Sequence, residues 1–227
     1  MELLLDTANI QKIKQLHDIL PLKGVTTNPS ILKQEGKIDF FNHLKQIRKI
    51  IGPEQSLHVQ ITATNAKTMI EEAYAILEGI DASVYIKIPV TIEGLKAIKK
   101  LKSEGIHITA TAIYTKLQSF LAIAAGADYL APYYNRMETL GIDSKAVIES
   151  LQKEIERTGS QSKILGASYK TIEQINDTFD AGAQAITVNP DLVEQLLSSH
   201  TIMQAVEDFR KDWKSIHGEN NITALLE

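Results

Sequence analysis

The sequence predicts a (β/α)8 barrel with an extra C-terminal helix. Strand-like apolar runs recur along the chain, each followed by an amphipathic helical stretch. The runs end at Asp6, Thr26, Gln60, Lys87, Thr111, Tyr133, Ser168 and Asn189. Their mean spacing of about 26 residues accommodates one strand, two turns and a helix. Eight such units in unbroken series suggest a closed barrel. An open doubly wound sheet is the competing architecture, but no Gly-x-Gly-x-x-Gly string follows any strand.

In chain order the strands are predicted at Glu2–Asp6, Gly24–Thr27, Leu57–Ile61, Val84–Ile88, His107–Thr111, Tyr129–Tyr133, Ile164–Ser168 and Ala185–Val188. Between them a 3.6-residue apolar rhythm marks helices over Thr64–Leu77, Thr91–Leu101, Lys116–Ala125 and Val147–Ile155. Thr91 and Thr171 read as N-caps, each followed by an early acid (Glu93, Glu173) that suits the positive helix start. Gly79, Gly105, Gly126 and Gly182 read as left-handed helix caps. Ile202–Ile216, with Trp213, is a further amphipathic helix beyond the eighth unit. Such a helix needs a surface to cover, and a neighbouring subunit would supply one. No linker or composition break divides the chain, so residues 1–227 read as one barrel domain.

Composition narrows the function. An apolar fraction of 44% and a charged fraction of 23% fit a soluble globular protein. The net charge of −4, without a basic cluster, argues against a nucleic-acid partner. There is no cysteine, which excludes disulfides and thiolate metal sites. Met1-Glu2-Leu3-Leu4-Leu5-Asp6 is too short and acidic to read as a signal peptide, and no apolar run approaches a membrane span. The expectation is a cytoplasmic enzyme.

Lys87 stands out. In Ser83-Val84-Tyr85-Ile86-Lys87-Ile88-Pro89, alternation puts Val84, Ile86 and Ile88 on one face and Ser83, Tyr85 and Lys87 on the other. Pro89 ends the strand because it has no N–H for the ladder. An ammonium there loses hydration, so its pKa should fall. A neutral amine attacks carbonyl carbon, which points to Schiff-base chemistry. The competing reading is a lysine that snorkels to solvent.

Other polar residues fall at the same ends of the strands. They are Asp6, the Thr26-Thr27-Asn28 run, Gln60, Thr111, Tyr133 and Ser168. In a barrel this rim carries the catalytic groups. Singly, each has a plainer explanation. Asp6-Thr7 caps a helix beginning near Ala8, Asn28-Pro29-Ser30 is a turn and cap, Ser168 caps the helix at Thr171, and Tyr133 packs. Jointly, their convergence on one rim favours a site.

The strings Leu5-Asp6-Thr7, Gly24-Val25-Thr26-Thr27-Asn28-Pro29-Ser30, Lys87-Ile88-Pro89-Val90-Thr91, Ala131-Pro132-Tyr133-Tyr134-Asn135-Arg136 and Ala167-Ser168-Tyr169-Lys170 resemble the small transaldolase family, and within it the fructose-6-phosphate aldolase branch. The resemblance runs in order over nearly the whole chain. It implies a class I aldolase barrel with the Schiff base on Lys87 and neither metal nor cofactor. Asp6 would take and return the C4 hydroxyl proton. Gln60, Thr111 and Tyr133 would hold the relay water. Thr26 and Asn28 would bind the dihydroxyacetone hydroxyls, and Arg136 with Ser168 the phosphate. Lys170 is a plausible auxiliary charge.

Two activities remain open on such a scaffold. A transaldolase keeps the three-carbon enamine for an acceptor aldose phosphate, whereas an aldolase protonates and releases it. The family's transferases usually carry Glu at the position of Gln60, Phe at that of Tyr133 and often Ser at that of Ala131. These positions therefore resemble the aldolase branch. Thr109 departs from it, because the aldolases tend to be apolar there, and so it bears on the donor pocket. A sugar-phosphate-binding barrel without chemistry is a third reading. A metal-dependent aldolase is disfavoured, because His17, His43, His58, His107, His200 and His217 show no paired ligand spacing. His58 and His107 lie early in their strands, at barrel-core level. The resemblance further implies a homo-oligomer, a pentamer or decamer, assembled through the helix at 201–217.

Overall fold

Eight parallel strands close in sequence order into a barrel. They are β1 (Glu2–Asp6), β2 (Gly24–Thr26), β3 (Ser56–Gln60), β4 (Tyr85–Pro89), β5 (Ile108–Ile113), β6 (Tyr129–Pro132), β7 (Lys163–Gly166) and β8 (Ala185–Val188). Helices α1 (Ile10–Ile19), α2 (Pro29–Gln34), α3 (Phe40–Ile51), α4 (Ala66–Gly79), α5 (Ile92–Lys102), α6 (Lys116–Ala124), α7 (Tyr134–Thr139), α8 (Ser144–Thr158) and α9 (Ile172–Asp180) fill the connections. The computed structural model describes residues 1–226, and Met1–Pro190 form one compact unit that holds the complete barrel. Helix α10 (Pro190–Leu197) leads into a second unit from Asp191 onward, which contains α11 (His200–His217) and a short 3-10 turn, Ile222–Leu225.

Side-chain chemistry sets the helix boundaries. The Thr91 hydroxyl accepts from Gly94 N at the start of α5. Thr115 and Thr171 form reciprocal capping boxes with Gln118 and Gln174 at α6 and α9. Asn9, not Asp6 or Thr7, caps α1 by accepting from Lys12 N. Gly105, Gly126 and Gly182 have positive φ, as expected of left-handed caps. Gly79 differs, because it stays in the helix. A Cβ there would lie 2.4 Å from the Phe41 ring, so close approach of α3 explains that glycine.

The largest departures from the sequence reading surround the strand ends. β6 stops at Pro132, and Tyr133 is the N-cap residue of α7, a helix that the apolar rhythm did not signal because it is under two turns long. β7 stops at Gly166, leaving Ser168 in the following loop with φ of 66°. β5 runs on to Ile113 through a bulge. Ala110 to Ile113 on β5 opposes Leu130 to Pro132 on β6, and Ala112 takes up the extra residue at φ of 56°.

Register carries the inward-facing positions around the barrel. Asp6 pairs with Thr26, Thr26 with His58, Gln60 with Lys87, and Lys87 with Thr109. Deeper in the barrel, Leu4, Tyr129, Leu165 and Ala185 pack with Tyr85 as a closed interior layer. Tyr85 stacks between His58 and His107, each with centroids 4.7 Å away, and the Tyr129 hydroxyl donates to Glu2. This layer fills the barrel interior, and a cavity lies at the strand ends that carry Asp6, Gln60 and Lys87.

Candidate active site

Lys87 is 4% exposed on β4, the strand between Gln60 on β3 and Thr109 on β5. Burial disfavours its ammonium and lowers its pKa from the usual amine value, with the Asp6 carboxylate pulling the other way. The desolvation foreseen for Lys87 in the sequence is thus present in the structure. A cavity of about 260 Å³ opens above it, lined by Asp6, Asn28, Pro29, Ser30, Gln60, Lys87, Tyr133, Arg136, Ala167 and Ser168.

Asp6 is held by a short hydroxyl chain. Its Oδ1 accepts from Thr26 Oγ1 at 2.6 Å, and Thr26 Oγ1 lies 2.7 Å from Thr187 Oγ1. An ionised carboxylate only accepts, so Thr26 gives its proton to Asp6 and Thr187 donates to Thr26. Thr187, on β8, did not stand out in the sequence, since a threonine in an apolar strand is unremarkable. Burial raises the Asp6 pKa, opposed by Lys87, Thr26 and Arg136 in that order. A carboxylate whose pKa is raised is a stronger base than an exposed one.

Tyr133 approaches from the other side of the cavity. Thr111 Oγ1 donates to its phenol oxygen at 3.0 Å, which leaves the phenol O–H to point into the cavity. Burial raises the Tyr133 pKa, so the group stays protonated and able to donate. The Gln60 Oε1 atom is buried without a hydrogen-bond partner among the described residues. A buried amide oxygen calls for a donor, and a water or a substrate hydroxyl meets that need.

Arg136 arrives on α7, and Ser168 in the loop after β7. The first turn of this helix docks on the exit of β7, where Tyr134 N donates to Ala167 O and Asn135 N to Ser168 O. That docking brings Arg136 and the left-handed Ser168 to one wall. The Arg136 guanidinium lies 4.8 Å from the centroid of the Tyr133 ring, and Nη1 donates to the Tyr114 hydroxyl at 3.4 Å. Tyr114 sits edge-on to Tyr133 at 5.7 Å, and the sequence reading passed over it because no motif contains it.

Several predicted residues lie beneath the lining. Thr26, Thr109 and Thr111 are fully buried, and Ala131 is 2% exposed. The Thr109 hydroxyl faces His58 Nδ1 at 2.7 Å. Asn28 does line the cavity while its Oδ1 caps α2 by accepting from Ile31 N, so its amide N–H2 is the end left for a ligand. Lys170 is exposed, and its backbone N–H donates to Gln174.

Fold and site together define a class, a (β/α)8 barrel that presents one buried amine to a small polar cavity at the C-terminal ends of its strands. Comparison with known proteins narrows this. The profile described as Transaldolase/Fructose-6-phosphate aldolase matches residues 3–225. A Streptococcus pneumoniae (strain ATCC 700669 / Spain 23F-1) protein named "Probable fructose-6-phosphate aldolase" is 50% identical over 222 residues, covering 98% of this chain and 100% of the relative. The chain belongs to the transaldolase/fructose-6-phosphate aldolase family.

Proposed function

We propose that the protein is a Schiff-base aldolase that cleaves fructose 6-phosphate to dihydroxyacetone and glyceraldehyde 3-phosphate, and runs the reverse addition. The observation that carries this reading is Lys87, buried and held toward its neutral form in a cavity it shares with Asp6 and Tyr133. Neutral Lys87 Nζ adds to the C2 ketone, and loss of water leaves an iminium. Asp6 takes the C4 hydroxyl proton as the C3–C4 bond breaks. The bonding pair flows into the iminium, giving an enamine, and glyceraldehyde 3-phosphate departs. Protonation of the enamine at C3 and addition of water at C2 release dihydroxyacetone and regenerate the amine.

Tyr133 and Gln60 serve the proton and water steps, the first as donor and the second as acceptor. Thr111 sets the direction of the phenol. Thr26 acts on Asp6, because its hydroxyl is occupied by Asp6 and Thr187 and has no proton left for substrate. The Asn28 amide takes a donor hydroxyl. Arg136 and Ser168 hold the phosphate, the first with a planar set of N–H donors. Ala131 leaves space beneath the donor half. Gln60 and Tyr133 favour cleavage over transfer, since a neutral amide and a phenol orient and protonate, whereas a carboxylate activates water as a base. Thr109 does not argue for transfer, because its hydroxyl is directed to His58.

Among the described residues no helix is long and apolar enough to cross a membrane, and phosphorylated substrates fit a cytoplasmic setting. Ile202, Met203, Val206, Phe209 and Ile216 of α11 are exposed, which supports assembly into a homo-oligomer through this helix. Truncation after His200 should reduce the mass seen by light scattering, and an unchanged large oligomer would refute that role.

The activity test follows glyceraldehyde 3-phosphate released from fructose 6-phosphate, with and without erythrose 4-phosphate. Release without acceptor, alongside free dihydroxyacetone, supports the aldolase. Release only with acceptor, matched by sedoheptulose 7-phosphate, would make the protein a transaldolase.

A further inference from the structure

We infer that Tyr114 is a specificity-determining residue that selects phosphorylated over unphosphorylated aldehydes by holding Arg136 in its binding pose. The inference rests on the aldolase reading above and extends its phosphate subsite. Tyr114 lies between β5 and α6, outside the cavity lining and outside every motif in the sequence. Its backbone N–H donates to Gln118 Oε1 at 3.0 Å. Gln118 in turn donates through Nε2 to Val90 O and Ala112 O, at 3.3 and 3.4 Å. One glutamine thus ties the Tyr114 backbone to the exits of β4 and β5, the strands that carry Lys87 and Thr111.

The side chain turns this rigid placement onto Arg136. Its hydroxyl accepts from Arg136 Nη1, its ring meets the Tyr133 ring at 80°, and the guanidinium lies over that same Tyr133 ring. Arg136 is exposed and has no carboxylate partner among the described salt bridges, so these two tyrosines are what restrain its head. A long arginine side chain loses rotamer freedom on binding, and a head already fixed loses less. The guanidinium has five N–H donors and spends one on Tyr114, which leaves an edge for a phosphate. An aldehyde without a phosphate gains nothing from a head fixed in this way.

The test compares addition of dihydroxyacetone to glyceraldehyde 3-phosphate and to glyceraldehyde, in wild type, Tyr114→Phe, Tyr114→Ala and Arg136→Ala, with melting curves for each. Tyr114→Phe keeps the ring contact and removes only the hydroxyl. The ratio of kcat/KM for the phosphorylated aldehyde to that for glyceraldehyde should fall about 3- to 10-fold in Tyr114→Phe and further in Tyr114→Ala. In an Arg136→Ala background, Tyr114→Phe should lower the ratio much less, because the group it positions is gone. A ratio within twofold of wild type in both Tyr114 variants would overturn the inference, whatever their absolute rates. If Arg136→Ala itself leaves the ratio unchanged, the phosphate subsite is misplaced and the Tyr114 role falls with it. If wild type adds dihydroxyacetone to neither aldehyde, the aldolase reading fails first.

Discussion

Thr109→Val probes the barrel floor beneath Lys87. His58 and Thr109 are both fully buried, and His58 Nδ1 lies 2.7 Å from Thr109 Oγ1. The tautomer follows from the neighbours. Ser56 Oγ donates to Lys23 O at 3.2 Å, so at 2.8 Å from His58 Nε2 it must accept. Nε2 therefore carries the proton, Nδ1 is the bare acceptor, and Thr109 is the donor. Valine keeps the shape of threonine but leaves Nδ1 buried without a donor, a loss of about 1–3 kcal/mol. For a chain of this size that corresponds to roughly 2–12 °C in Tm. His58→Phe should likewise destabilise, because it strands the Thr109 hydroxyl. Removing both partners should cost less than the two single costs added together, with a coupling of about 1–2 kcal/mol from urea unfolding. Costs that add within about 0.5 kcal/mol would refute the hydrogen-bond argument.

The same series has a pH signature. Burial first, then the charge of Lys87, hold the His58 pKa well below that of a free imidazole. The unfolded chain binds a proton near pH ~6.5 that the folded chain refuses, so this contribution to stability is lost as pH falls below that value. Variants with phenylalanine at 58 should lack this component, and an unchanged pH slope would contradict a neutral His58.

Tyr133→Phe should lower cleavage kcat by about 10²-fold while Lys87 still forms a trappable adduct, and an unaltered kcat would remove the phenol from the proton steps. Gln60→Glu should raise the ratio of transfer to cleavage, measured with and without erythrose 4-phosphate. An unchanged ratio would remove the argument from the neutral amide. Ala112→Gly relieves a left-handed residue at φ of 56° and should stabilise the fold by about 0.5–1 kcal/mol in urea unfolding, whereas a loss would show that the Ala112 methyl packs usefully.

The barrel was legible because strand length and βα spacing are periodic and therefore visible along the chain. Lys87 was legible for a related reason, as a cation in an otherwise apolar alternation. What the sequence hid depends on contacts across distant strands. The chain from Thr187 through Thr26 to Asp6 joins β8, β2 and β1, and none of its threonines looks unusual in a strand. Thr109 was expected to meet the substrate donor. Its use as a partner for His58 depends on β3 and β5 reaching across β4, which register reveals and periodicity does not. Helix α7 was missed because it is short, and with it the docking that brings Arg136 to Ser168.

The central claim is that Lys87 carries the covalent intermediate. Incubation with dihydroxyacetone and borohydride, followed by intact-mass and peptide analysis, tests it directly. The account predicts one reduced three-carbon adduct on Lys87, lost in Lys87→Met while that variant keeps a cooperative melting transition. An adduct on another lysine, or undiminished turnover of fructose 6-phosphate by Lys87→Met, would contradict it.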